Sequence, residues 1–149
     1  LGMKVIAADS FIPQVDVKVE FFDGQSITTT IVSQSLESLF KEADFITLHV
    51  PAQDGYIVDE AALAIMKDGV GIVNCARGGV IDEVALIKAL DSGKVSFAGL
   101  DVFESEPKPE MTILMHPKIS LTPHIGAATG EAQDRIGTEL ASQIISLLG

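Results

Sequence analysis

The sequence predicts an α/β fold organised around a mostly parallel sheet. Short apolar runs alternate with stretches of helical periodicity along the 149 residues. Within the runs the apolar residues are continuous rather than alternating with polar ones, which is typical of strands that helices cover on both faces. Apolar residues make up 47% of the chain, enough to build one substantial core.

Candidate strands and helices follow one another in order. The apolar runs cover residues 5–8, 45–50, 70–73, 97–102 and 119–121. Helices are predicted in the segments LESLFKEA, EAALAIMK and EVALIKALD, with N-caps at Ser35, Asp59 and Asp82. Gly69 and Gly93 are expected to end the second and third helices. A last helix is predicted over residues 130–148, with an apolar face formed by Ile136, Leu140 and Ile144.

One segment departs from this α/β rhythm. The stretch VDVKVEFF alternates apolar and polar residues, and Asp23-Gly24 joins it to the β-prone stretch QSITTTIV. Two such runs joined through Asp-Gly predict an antiparallel hairpin over residues 15–32, with one face in water. Its role stays open between covering a sheet edge and binding a partner.

Charge and cysteine content limit the classes of partner. The formal net charge is −11, which disfavours nucleic acid and anionic membranes as partners. No apolar run approaches the ~20 residues of a membrane helix. Cys75 is the only cysteine, so no internal disulfide can form, which fits a reducing compartment such as the cytoplasm. An anionic substrate would need a local positive site.

Charged or titratable side chains follow three of the predicted strands. Arg77 comes after residues 70–73, Glu104 and Glu106 after 97–102, and His124 after 119–121. Because the carboxyl ends of parallel strands share one sheet edge, we expect these side chains to meet in one crevice. Taken singly, each has an ordinary alternative: a surface pair of Arg77 with Glu83, a solvated acidic loop, or a capping histidine.

The glycines after Arg77 support a functional interpretation. Gly78 and Gly79 allow a sharp turn and a close approach of the backbone to another group. The planar guanidinium of Arg77 is suited to a carboxylate, and so to an anionic small-molecule substrate. Asp9, at the end of the first run, could accept hydrogen bonds from a ribose and repel a 2′-phosphate, which favours NAD over NADP.

Three blocks of the sequence resemble the NAD-dependent D-2-hydroxyacid dehydrogenases. They are VNCARGGVIDEVALIKAL, AGLDVFESEP and TPHIGAAT, and they occur in the family's order. The resemblance implies a Rossmann-like, doubly wound fold, NAD as cofactor, a homo-oligomeric enzyme, a small anionic 2-hydroxy or 2-oxo acid as substrate, and no metal. Within the family it points to D-3-phosphoglycerate oxidation in serine biosynthesis, with glyoxylate or hydroxypyruvate reduction as the alternative. A non-catalytic Rossmann-like binding module is the alternative from another class.

The same resemblance assigns roles to individual positions. It implies Arg77, Glu106 and His124 as catalytic residues, with Glu106 selected over Glu104 because it directly precedes the proline. His124 would exchange the hydroxyl proton, Glu106 would orient the imidazole, and Arg77 would bind the substrate. The implied cofactor-binding residues are Asp9, Val50, Pro51, Cys75, Ala76, Arg77, Asp101, His124 and Gly126.

The chain also departs from the family pattern. It contains no G-x-G-x-x-G sequence, and the hairpin over residues 15–32 is longer than the usual connection. We therefore expect residues 1–149 to be an NAD-binding domain that lacks its first strand and glycine-rich turn. The substrate-binding domain is expected to lie outside this sequence.

Overall fold

A computed structural model describes residues 2–148. In these residues a two-stranded hairpin precedes a parallel sheet whose strands are connected by helices. In chain order the elements are β1 Gln14–Glu20, β2 Ser26–Val32, α1 Leu36–Glu42, β3 Phe45–Leu48, α2 Glu60–Ile65, β4 Val70–Asn74, α3 Glu83–Ser92, β5 Val95–Leu100, α4 Met111–Leu114, β6 Ile119–Leu121 and α5 Gly130–Leu148.

The predicted helix caps are confirmed. The side chains of Ser35, Asp59 and Asp82 each accept a hydrogen bond from the backbone N–H three residues later. Gly93 ends α3 in the left-handed conformation with φ of 81°, which costs glycine little. Helix α2 ends at Ile65, earlier than predicted, and the short helix α4 was not predicted.

The main sheet is parallel, with the strand order β3-β4-β5-β6. Its register aligns Leu48, Asn74, Leu100 and Leu121 across the four strands. All four carboxyl ends therefore lie at one edge of the sheet, as the prediction of an α/β fold required. The loops that leave this edge carry the candidate site.

The two faces of the sheet differ in burial. Ile46, Ile72 and Ala98 lie on one face, in a core that includes residues of α1 to α4. On the other face Phe45 remains 66% exposed and Phe97 42% exposed. The expectation that helices cover both faces is therefore wrong within residues 2–148. Helix α5 has no buried residues there, so its predicted apolar face is open to solvent.

Two predictions about the N-terminal third need correction. Residues 5–8 do not form a strand; Ala7 makes an isolated parallel bridge with Ser33. The antiparallel hairpin is confirmed, but it forms a separate sheet of its own. Most of its residues are exposed, and only Val17 and Ile31 are half-buried, so both faces are largely wet. A two-stranded hairpin has too little apolar surface to bury either face by itself.

Candidate active site

His124 and Glu106 form a hydrogen-bonded pair at the sheet edge. His124 follows β6, and its Nδ1 lies 2.7 Å from Oε2 of Glu106. The other carboxylate oxygen accepts the backbone N–H of Phe103 at 3.0 Å. The hydrogen bond with His124, aided by that from Phe103, lowers the pKa of Glu106. The carboxylate is therefore ionised at neutral pH and fixes the orientation of the imidazole.

Asp101 holds the turn that carries His124. Its side chain is buried, and its two carboxylate oxygens accept the backbone N–H groups of Ile125 and Gly126 at 2.9 and 2.8 Å. The hydroxyl of Thr122 donates to the same carboxylate. His124 itself has a positive φ of 54°, an unfavourable conformation for a residue with a side chain. The bonds to Asp101 hold this backbone conformation in place.

The pKa of Asp101 reflects two opposing influences. Burial raises it, but the hydrogen bonds from Thr122, Ile125 and Gly126 together outweigh burial and leave the pKa below its ordinary value. Asp101 is therefore a charged anchor beneath the histidine turn. The family resemblance implied Asp101 as a cofactor-binding residue, and its role as an anchor of the turn was not predicted.

Asn74 positions the backbone around Arg77. This buried side chain accepts the N–H of Ala76 and donates to the carbonyl of Arg77, both at 3.0 Å. The Arg77 guanidinium donates to the carbonyl of Ala76 at 2.6 Å and is exposed at the strand end. The ordinary alternative, a pair between Arg77 and Glu83, is not what the structure shows.

Glu83 pairs instead with Glu104, in a reciprocal arrangement. The carboxylate of each residue accepts the backbone N–H of the other at 2.9 Å. Burial raises the pKa of Glu83. The remaining oxygen of Glu104 accepts the hydroxyl of Tyr56 at 3.3 Å. Tyr56 was not predicted as a site residue, because nothing in its local sequence pattern indicates that the loop after β3 reaches this site.

These groups share one crevice. Its volume is about 430 Å³, and its walls are Ala52, Tyr56, Arg77, Gly78, Gly79, Phe103, Glu104, Glu106 and His124. A second depression of about 440 Å³ shares Phe103, Glu106 and His124 with the first, and its walls are mostly apolar, with Leu114, Leu121 and three prolines among them. His124 therefore lines both depressions. The structure thus brings together Arg77, Glu106 and His124, as the strand-end argument predicted.

The other predicted cofactor residues fall into two groups. Val50, Pro51, Cys75, Ala76, Asp101 and Gly126 all follow strands of the main sheet at its carboxyl edge. Asp9 precedes them in the chain, in the N-terminal segment before β1. Its Oδ1 accepts the backbone N–H groups of Phe11 and Ile12 at 2.7 and 3.0 Å, and its own N–H donates to Ser33. Its role toward a ribose stays a prediction.

Comparison with known proteins agrees with this arrangement. Residues 1–126 match the family described as "D-isomer specific 2-hydroxyacid dehydrogenase, NAD binding domain". The chain belongs to this family. The family is one of NAD-binding oxidoreductase domains, and the Rossmann-like α/β fold expected from the resemblance is confirmed.

Similar proteins carry several activity names. A hydroxypyruvate reductase from Thermotoga maritima is 48% identical over 99% of this chain and 46% of its own length. A D-3-phosphoglycerate dehydrogenase from Synechocystis is 41% identical over 99% of this chain and 26% of its own. The crystal structure of a glyoxylate reductase from Paecilomyes thermophila has a TM-score of 0.68 and 42% identity, covering 78% of this chain and 34% of that one. The chain thus spans less than half the length of these relatives.

Neither a metal-binding cluster nor a membrane-spanning helix is found within residues 2–148. No group of three or more His, Cys, Asp or Glu side chains in this range is placed to hold a metal ion. No helix in the same range is both long and apolar enough to cross a bilayer.

Proposed function

We propose that this chain forms the cofactor-binding part of an NAD-dependent D-2-hydroxyacid dehydrogenase. The observation that carries the proposal is the His124–Glu106 hydrogen bond of 2.7 Å, in a crevice that Arg77 also lines. Oxidation of a hydroxyl group next to a carboxylate requires a base for the hydroxyl proton and a cation for the carboxylate. An oriented imidazole beside a guanidinium supplies both. Arg77, Glu106 and His124 are accordingly the proposed catalytic residues.

His124 is the proposed acid–base group. With Nδ1–H donating to Glu106, Nε2 is left with a lone pair that accepts the proton of the substrate hydroxyl. The C2–O single bond then becomes a carbonyl, and in the reverse direction Nε2 returns the proton to oxygen. When bound, NAD⁺ supplies the acceptor for the hydride that leaves C2.

Arg77 is the proposed substrate receptor. Its guanidinium is exposed at the end of β4, and Asn74 fixes the backbone that carries it. A planar guanidinium binds a carboxylate through two parallel hydrogen bonds, which fixes the C2 atom relative to His124. In a chain of net charge −11, this local cation is the group that attracts an anionic substrate.

The strand ends suit the nicotinamide end of NAD. Val50, Pro51, Cys75 and Ala76 are uncharged and follow β3 and β4 at the edge where His124 lies. Uncharged walls of this kind suit the carboxamide and the ribose next to it. The pyrophosphate needs backbone donors of a glycine-rich turn, and the sequence has no G-x-G-x-x-G. We propose that those donors, and the substrate-binding domain, lie outside residues 1–149.

The substrate we propose is a small D-2-hydroxy acid or its 2-oxo form. D-3-phosphoglycerate and the hydroxypyruvate or glyoxylate pair are the candidates, because the relatives carry both kinds of name. We further propose a cytoplasmic enzyme, since Cys75 is the only cysteine and no internal disulfide can form. A homo-oligomeric state is proposed from the family resemblance alone.

Steady-state kinetics on the full-length protein test the proposal. NADH oxidation is followed with glyoxylate, hydroxypyruvate and 3-phosphohydroxypyruvate. His124→Ala should lower kcat by about 10²–10⁴-fold, the usual contribution of an acid–base group. Arg77→Ala should raise KM for the oxo acid more than KM for NADH.

His116→Gln is the matched control, because His116 pairs with Asp91 away from the crevice. It should keep kcat near the wild-type value. A His124→Ala protein with near-wild-type turnover would contradict the assignment. A wild-type protein that binds NADH but reduces no 2-oxo acid would favour a non-catalytic module.

A further inference from the structure

Tyr56 and Glu104 form a part of the crevice wall that the reaction above does not use. Tyr56 comes from the loop between β3 and α2, and Glu104 from the loop after β5. The Tyr56 hydroxyl donates to Oε2 of Glu104 at 3.3 Å, and both residues line the crevice together with Arg77. Two separate loops thus bring a carboxylate to the place where an anionic substrate is expected.

The position of this carboxylate is fixed at both oxygens. Oε1 accepts the backbone N–H of Glu83, the first residue of α3, at 2.9 Å. Oε2 accepts from Tyr56, whose own pKa is raised, chiefly by the negative charge of Glu104. The tyrosine therefore stays protonated and remains a donor at ordinary assay pH. A carboxylate held by two donors stays in the crevice instead of turning away into solvent.

The residues that line the crevice determine its balance of charge. Among the described residues 2–148, Arg77 is the only Lys or Arg that lines it, whereas Glu104 and Glu106 are both acidic. Glu106 has a partner in His124. Arg77 can offset the carboxylate of one substrate molecule. A second anionic group on that molecule would meet the uncompensated charge of Glu104, and like charges at this range repel.

We propose that Glu104, positioned by Tyr56, is a specificity-determining residue for substrate charge. It favours a 2-oxo or 2-hydroxy acid whose carboxylate is the only anionic group, and it disfavours one that also carries a phosphate ester. This inference rests on the proposed dehydrogenase function. It concerns only the direction in which Glu104 shifts the substrate preference. The overall preference also depends on other residues of the full-length protein.

The test compares two oxo acids that differ by a phosphate. In the full-length protein, kcat/KM is measured for hydroxypyruvate and for 3-phosphohydroxypyruvate with saturating NADH. Glu104→Gln removes the charge but keeps an oxygen that can accept from Glu83 N–H. The ratio of kcat/KM for the phosphorylated over the unphosphorylated acid should rise about 5–10-fold, as expected for one charge at several ångström in a partly solvated site. Salt should diminish this rise, because screening weakens a charge effect.

Matched variants separate charge from structure. Glu110→Gln removes a carboxylate from the same loop. The Glu110 side chain neither lines the crevice nor caps α4, so this variant should leave the ratio unchanged. Tyr56→Phe keeps the negative charge of Glu104 but removes one of the two hydrogen bonds that hold its carboxylate. It should therefore raise the ratio by a smaller factor than Glu104→Gln does. If Glu104→Gln does not fold, Glu104→Ala takes its place with the same expected ratio.

Two results would overturn the inference, and they differ from the failure of the proposed function. An unchanged ratio in a folded, charge-free variant would show that Glu104 has no part in substrate selection. A change of the same size in the Glu110→Gln control would show a general effect of net charge. If the wild-type protein reduced no 2-oxo acid, glyoxylate included, the dehydrogenase proposal itself would fail, and this inference with it.

Discussion

Gly78 and Phe103 bring the two halves of the candidate site into backbone contact. A Cβ atom placed on Gly78 would lie 1.9 Å from the carbonyl oxygen of Phe103. Gly78 directly follows Arg77, and Phe103 N–H donates to Glu106. The arginine turn and the glutamate loop are therefore as close as two backbones can pack, and only glycine fits between them.

We expect Gly78→Ala to separate these loops. A methyl group against a carbonyl that cannot move away costs about 1–3 kcal/mol of stability by the usual cost of overpacking. Activity should fall further than stability alone explains, because Arg77 moves relative to His124. Differential scanning fluorimetry and NADH oxidation by the full-length protein measure the two effects. Gly99→Ala is the control, since its Cβ would meet Val73 at an ordinary 3.6 Å.

We expect Asp101→Asn to destabilise the protein in a pH-dependent way. The folded-state pKa of Asp101 lies below its ordinary value of 3.8, so its stabilisation is fully present above that value. It is lost as pH falls through the lowered folded-state pKa. The variant should therefore lose about 1–3 kcal/mol near pH 7, the usual cost of disturbing a buried charged acceptor. The difference from wild type should shrink toward zero in strong acid.

Urea unfolding between pH 2.5 and 7 measures this dependence. Asp134→Asn on exposed helix α5 serves as the control and should unfold like the wild type throughout. A constant difference across the whole pH range would show that the ionised carboxylate is not what stabilises the His124 turn.

We expect Asp9→Asn to weaken the preference for NAD over NADP. Asparagine keeps an oxygen that can accept from Phe11 and Ile12, so the local turn survives while the negative charge is lost. The predicted repulsion of a 2′-phosphate should then diminish. The ratio of kcat/KM for NADH and NADPH, measured with one oxo acid in the full-length protein, decides this. Equal use of both cofactors by the wild type would contradict the interpretation of Asp9.

We expect residues 1–149 expressed alone to bind NAD weakly and to reduce no 2-oxo acid. The sequence lacks the glycine-rich turn that would supply donors to the pyrophosphate. Among the strands of residues 2–148, β3 pairs only with β4, and Phe45 is 66% exposed, so self-association is also expected. Calorimetric titration with NAD, a turnover assay and sedimentation velocity measure these properties. Micromolar affinity or measurable turnover would show that the pyrophosphate donors are not needed.

Local signals in the sequence determined much of the fold. Ser35, Asp59 and Asp82 could be identified as N-caps because a cap depends on a side chain and a backbone group only three residues apart. The apolar runs of the parallel sheet were found because buried strands have a distinct composition. The convergence of Arg77 and His124 followed from the rule that parallel strands share one carboxyl edge.

Features that depend on contacts between distant loops could be determined only from the tertiary structure. Glu104 and Glu106 both follow β5, and neither spacing nor composition shows that one turns to Glu83 and Tyr56 and the other to His124. Residues 5–8 have the composition of a strand, yet they form none, because a strand exists only where a neighbour accepts its hydrogen bonds. The anchoring of the His124 turn by Asp101 likewise joins side chain and backbone groups more than 20 positions apart, a distance over which the sequence carries no local pattern.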